Sequence, residues 1–130
     1  MDHVRHPFLN HNGILAFAHR GDQESGPENT MIAFEGAVRL GFEYIETDVQ
    51  ATSDGVLVTF HDPILGRVTD QIGRIDQITW SRLRRAKVRG IAPIPTLEEV
   101  LGDFPDLRFN IEPKSNIAVE LLTKVIHRTA

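Results

Sequence analysis

The chain has 130 residues, 41% of them apolar and 25% charged, the balance of one globular domain rather than of a disordered chain. Lys and Arg number 14 against 18 Asp and Glu, and the formal charge of −4 argues against general affinity for nucleic acid or for an anionic membrane. There is no cysteine, which excludes disulfides, thiolate catalysis and zinc–thiolate sites, and no apolar run approaches the roughly 20 residues of a membrane span. Residues 1–13 carry three histidines and lack the pattern of a secretory signal, so they read as an N-terminal leader of a cytoplasmic protein.

Ile14 to Ala18 is a short apolar run that predicts a strand buried on both faces, as in a parallel sheet. Turn residues occupy 22–29, and Asn29 or Thr30 is positioned to cap a helix whose inward face is Met31, Phe34 and Val38, with Gly41 at its end. Tyr44 to Ala51 and Val56 to Phe60 predict the next two strands, with the turn Asp54-Gly55 between them. A two-residue hairpin there would set His61 across from Asp48, and a parallel arrangement would also leave the two close.

Residues 62–95 are punctuated by Gly and Pro, and only Ser81 to Lys87 reads as a short helix. So long an irregular stretch in a small domain is usually functional. Its basic residues Arg82, Arg84, Arg85, Lys87 and Arg89 read as solvated surface charge. Thr96 to Glu99 is a capping box, with Leu97, Val100 and Leu101 inward and Gly102 after the helix. Leu107 to Ile111 predicts a strand, and Ser115 caps a last helix with Ile117, Leu121 and Val125 inward. The alternation of strands and helices predicts an α/β fold with a mainly parallel sheet.

Ligand sites in such folds gather where strands end, and each predicted strand end carries ionisable residues. Glu46 and Asp48 are two apart in one strand and so share a face, and Glu112 ends another strand. Any one of them alone reads as a solvated or ion-paired carboxylate. Three together, without Cys, favour a hard cation, Ca²⁺ or Mg²⁺. His19 and His61 also follow strands and can trade protons near neutrality as general acid and base. His3, His6, His11 and His127 lie in the leader or the last helix and read as structural. Arg20 and Lys114 on the same rim suit phosphate oxygens, which makes a phosphodiester the fitting substrate.

His19-Arg20-Gly21, Pro27-Glu28-Asn29-Thr30, Glu46-Thr47-Asp48-Val49, Thr52-x-Asp54-Gly55, His61-Asp62, Pro95 to Glu99 and Ile111-Glu112-Pro113-Lys114 follow in order. This series resembles the glycerophosphodiester phosphodiesterase family, from about Ala16 to the C-terminal helix. The resemblance implies a TIM-type (βα) barrel and hydrolysis of glycerophosphodiesters to glycerol 3-phosphate and an alcohol. It implies His19 and His61 as the acid–base pair, Glu46, Asp48 and Glu112 as ligands of Ca²⁺ or Mg²⁺, and Arg20 and Lys114 as phosphate contacts. It places Glu28 at the site without fixing its role, favours parallel strands around Asp54-Gly55, and makes 62–95 an insertion over the barrel mouth.

A closed eight-stranded barrel takes about 200 residues or more, so residues 1–130 amount to one partial domain of about four βα units, a half barrel with exposed edges. The chain is then the catalytic half of an enzyme, one half of an assembly with a second copy or a partner half-barrel chain, or a module that binds phosphate or metal without turnover.

Overall fold

The computed structural model describes residues 6–129. A four-stranded sheet is built around β2 (Tyr44–Ala51). On one side β2 pairs in parallel with β6 (Arg108–Pro113), in the register Tyr44↔Arg108 to Val49↔Pro113. On the other, its first half pairs in parallel with β1 (Phe17–His19) and its second half antiparallel with β3 (Leu57–Thr59). The sheet is therefore mixed.

The expected parallel course around Asp54-Gly55 is replaced by an antiparallel hairpin, Val49↔Thr59, Gln50↔Val58 and Ala51↔Leu57. The physical reason is length, because residues 52–56 are far fewer than the dozen or so a parallel crossover needs. The loop is also longer than a two-residue turn. Phe60, not His61, consequently lies across from Asp48, donating its N–H to the Asp48 carbonyl at 2.9 Å. Asp54 fixes this loop by accepting the Thr52 hydroxyl at 2.6 Å and the Trp80 N–H at 3.0 Å.

The alternation along β2 divides the molecule. Ile45 and Val49 point to the helical layer, whereas Tyr44, Glu46 and Asp48 point to the opposite, inner face. Ile45 packs with Ala18, with Phe34 and Ala37 of α1 (Met31–Arg39), and with Val100 of α3 (Leu97–Asp103). Val49, Leu57 and Leu97 pack with Ala118, Leu122 and Val125 of α4 (Asn116–Thr129). Residues 62–95 close a third cluster on β3, in which Leu65, Ile75, Leu83 and Ile94 meet Val58 and Phe60. That stretch holds a 3-10 turn at Ile75–Gln77, α2 (Trp80–Leu83) and the small hairpin of β4 (Lys87–Val88) and β5 (Ala92–Pro93). Its basic residues Arg82, Arg84, Arg85, Lys87 and Arg89 are all exposed.

Several faces differ from the sequence expectation. The first strand is shorter than Ile14 to Ala18, and Ile14 is 88% exposed, since an edge strand with one neighbour buries only Ala18. In α1 Val38 is exposed while Ala33, Phe34, Gly36 and Ala37 are buried, because small residues let the helix approach the sheet closely. In α4 the buried stripe is Ala118, Leu122 and Val125, with Leu121 packed at its margin and Ile117 exposed, again with a small residue at the closest approach. Gly102 lies inside α3 rather than beyond it.

The helix ends follow capping chemistry. Thr30, not Asn29, caps α1 by accepting the Ala33 N–H, and Thr96 caps α3 by accepting the Glu99 N–H at 3.1 Å. After α1, Gly41 at φ +88° allows the paired bonds Gly41 N–H to Val38 O and Phe42 N–H to Ala37 O. At the lower end of the inner face, the Phe8 ring meets Tyr44 edge-on at 5.3 Å, and Arg108 donates to the Phe8 and Asn10 carbonyls at 3.2 and 2.6 Å. The described part of the N-terminal segment is thus docked. His6 caps the 3-10 turn Pro7–Leu9 and His11 faces Glu43, which fits structural roles, while His3 lies outside the described residues.

Candidate metal and phosphate site

Strand register alone brings the acidic residues together. His19 lies opposite Glu46 between β1 and β2, and Asp48 lies opposite Glu112 between β2 and β6. One carboxylate oxygen from each of Glu46, Asp48 and Glu112 lies within 4.8 Å of the others. Asp48 is buried, Glu46 half-buried and Glu112 exposed, so the cluster opens from the sheet toward solvent.

The chain's own cations already lean on this cluster. His19 Nε2 is 3.6 Å from Glu46 Oε2, Arg20 Nε is 3.3 Å from Asp48 Oδ2, and Lys114 Nζ is 3.5 Å from Asp48 and 3.0 Å from Glu112. These contacts leave a deficit. Glu46 Oε2 is buried without a hydrogen-bond partner, and Arg20 Nε, though close to Asp48, lacks hydrogen-bond geometry. Burial, then the neighbouring Asp48 charge, pushes the Glu46 carboxyl above its ordinary value, and His19 and Arg20 offset this only in part. An orphaned buried oxygen beside two further carboxylates is a donor set that fits a hard divalent cation. Burial opposes the charge on Lys114, but the hydrogen bond to Glu112 and the Asp48 charge outweigh it and hold its ammonium above the usual lysine value.

The loop after β1 carries the next residues. Arg20 and Gly21 both adopt left-handed backbone, at φ 60° and 84°. A Cβ on Gly21 would stand 2.8 Å from the Ala33 backbone, so only glycine lets this loop press against α1. The turn aims Arg20 inward, where NH1 donates to Glu28 Oε2 at 3.0 Å.

Three residues that the sequence does not assign to the site complete the wall. Asn29, at φ 57°, donates to Asp48 Oδ2 at 3.1 Å, accepts the Thr47 hydroxyl at 2.7 Å and offers its carbonyl to Thr59. It locks the Asp48 carboxylate. Asp62 approaches His61 Nδ1 at 2.6 Å, and Arg67 joins Asp62 to Glu28 through hydrogen bonds to both carboxylates. His61 itself is anchored through its carbonyl, which accepts from Gln50 at 2.9 Å.

Glu28 and Asp62 therefore ionise unusually easily. Burial pushes Glu28 up, but Arg67 and then Arg20 outweigh it and hold the carboxyl below its ordinary 4.5. The Arg67 hydrogen bond, with help from His61, holds Asp62 below its ordinary 3.8. The unfolded chain then binds more protons in the acid range, and these two groups contribute stability that is full above the ordinary values. Melting temperature is expected to fall as pH drops below about 4.5 and on through the lower folded values, and to fall less in Glu28→Gln. Thermal melts from pH 3 to 7 check this.

Comparison with known proteins agrees with the motifs. Residues 19–128 match the model of the glycerophosphoryl diester phosphodiesterase family. The chain is 45% identical over 122 residues to the "Probable glycerophosphodiester phosphodiesterase 2" of Mycobacterium tuberculosis, covering 93% of this chain and 46% of that protein. It is 42% identical over 111 residues to a glycerophosphodiester phosphodiesterase of Bacillus altitudinis, covering 78% and 45%. Among solved structures it resembles the glycerophosphodiester phosphodiesterase of Thermotoga maritima, with a TM-score of 0.81 and 30% identity over 92% of this chain and 52% of that one. It also resembles an Oleispira antarctica phosphodiesterase solved with the product sn-glycerol-3-phosphate, with a TM-score of 0.78 and 28% identity over 87% and 51%. The chain thus spans about half the length of the relatives it matches, and its open α/β sheet corresponds to part of their TIM barrel. It belongs to the glycerophosphoryl diester phosphodiesterase family.

Proposed function

We propose that this chain supplies the catalytic half of a metal-dependent phosphodiesterase that hydrolyses glycerophosphodiesters to glycerol 3-phosphate and an alcohol. The carrying observation is the convergence of Glu46, Asp48 and Glu112 around an orphaned buried oxygen, in a chain of this family. Those three residues hold Ca²⁺ or Mg²⁺. When bound, the cation supplies positive charge to the phosphoryl oxygens.

The chain's own residues do the rest. Arg20 and Lys114 stand at the carboxylates and orient the phosphodiester by its oxygens. His61, with Nδ1 tied to Asp62, moves a proton at Nε2. His19, more exposed and facing Glu46, moves the second. One imidazole takes the proton of the attacking hydroxyl or water as its oxygen bonds to phosphorus. The other returns a proton to the leaving alkoxide as its P–O bond breaks. Residues 62–95 serve as an insertion over the mouth of the site, a reading supported by the reach of Arg67 from this stretch to Glu28.

A second reading is an assembly module. Among the described residues β6 pairs only with β2, and α4 exposes Ile117, Val119 and Ile126, so a second copy or a partner half barrel has an edge to extend. Turnover of glycerophosphocholine or bis(p-nitrophenyl) phosphate separates the two. The enzymatic reading predicts hydrolysis that EDTA abolishes and added Ca²⁺ or Mg²⁺ restores. Absence of turnover, with oligomers that grow with concentration on size exclusion, supports the module instead.

A further inference from the structure

Arg67 lies outside every motif that carries the family resemblance, yet its guanidinium makes four hydrogen bonds to two carboxylates. Nε and NH2 donate to Asp62 at 2.7 and 3.3 Å, while NH1 and NH2 donate to Glu28 at 2.8 and 2.9 Å. The arginine fork is thus engaged on both sides at once, which a lysine ammonium cannot reproduce.

Its aim is built into the backbone. Leu65 and Val68 are buried in the cluster formed by residues 62–95, and Leu65 accepts from the Thr69 N–H at 3.1 Å and donates its own N–H to the Gly73 carbonyl at 3.0 Å. That turn, with its flanking side chains inward, sends Arg67 outward to the site. The carboxylates it meets are well covered, with side chains only 8% exposed at Glu28 and 16% at Asp62, whereas an ordinary surface pair leaves both partners in water. From Arg67 two branches run to the chemistry: through Asp62 to Nδ1 of His61, and through Glu28 to Arg20 and on to Asp48.

We infer that Arg67 is a positioning residue: it fixes Asp62 on His61 Nδ1, so that the imidazole keeps its proton there and presents Nε2 to the substrate, and it ties residues 62–95 to the Glu28–Arg20 side of the site. The inference rests on the phosphodiesterase reading for its consequence in turnover, but not for the state of the ring. A carboxylate on Nδ1 selects one tautomer, and a carboxylate free to rotate selects neither.

Nitrogen-15 spectra of the histidine rings in the whole chain, at a pH where His61 is neutral, test this. The wild type is expected to show His61 protonated at Nδ1, and Arg67→Ala to move it toward the Nε2 form. Arg67→Lys is expected to restore little, and Asp62→Ala to match or exceed Arg67→Ala. Where turnover is measured, kcat is expected to fall up to about 100-fold in Arg67→Ala, the scale of a misplaced catalytic group, with a smaller rise in KM from the loosened Glu28–Arg20 side. Should Arg67→Ala fail to fold, Arg67→Gln, which keeps the stem and one donor, carries the same comparison. A wild-type His61 tautomer in the folded variants overturns the inference even in an active enzyme. A tautomer change in a chain without turnover upholds it and removes the phosphodiesterase reading instead.

Discussion

Replacing His61 with alanine is expected to lower kcat by about 10²–10⁴-fold, the usual contribution of a placed general acid or base. His19→Ala is expected to fall in the same range, since each imidazole serves one of the two proton transfers. The double variant should lose little more than either single one, because a step that lacks one proton transfer gains little from the other. Initial rates with glycerophosphocholine, whose alkoxide leaving group needs the returned proton, measure this. Neither change should cost much stability, because the His61 side chain is 33% exposed and that of His19 64%. A rate within twofold of wild type in either single variant would remove that histidine from the chemistry.

Phe34→Ala is expected to be the most destabilising single change in the core, by about 3–5 kcal/mol. Its ring is fully buried, 6.2 Å edge-on from both Phe104 and Phe109, and it joins α1 to Ile45 of β2 and Val100 of α3. A domain of ordinary stability has about 5–15 kcal/mol in total, so this loss approaches unfolding. The consequence extends to function. α1 is the surface against which Gly21 packs, and the Gly21 turn aims Arg20, so a loosened α1 should weaken the site before the sheet melts. Denaturant midpoints give the magnitude, and a loss below 1 kcal/mol would show that the α1 interface repacks freely.

The part of this site that could be read from sequence is the part that strand geometry dictates. Glu46 and Asp48 share a face because they are two apart in a strand, and Glu112 meets them because parallel strands carry their ends to the same rim. The parallel course expected of β3 comes from the family resemblance, because alternation of apolar residues is the same in either direction, and the short 52–56 loop decides for the hairpin. The expected faces of α1 and α4 hold at Phe34 and Val125 and fail at Val38 and Ile117, because large apolar residues recur around both helices and small ones, Ala33, Ala37 and Ala118, set the closest contact. Asn29 is a cap candidate by residue type, but Thr30 takes the cap, and the bond of Asn29 to Asp48 spans 19 residues and leaves no local trace. Arg67 had one available signal. It is a lone cation between two buried apolar residues, five positions after Asp62, in a stretch whose own turns hold it toward that carboxylate.

Calorimetric titration of the whole chain with Ca²⁺ and with Mg²⁺ measures whether Glu46, Asp48 and Glu112 hold a cation. One saturable site per chain is expected for at least one of the two ions, lost in Asp48→Asn and weakened in Glu112→Gln. Absence of binding by either ion, or binding that Asp48→Asn leaves unchanged, would contradict that ligand set.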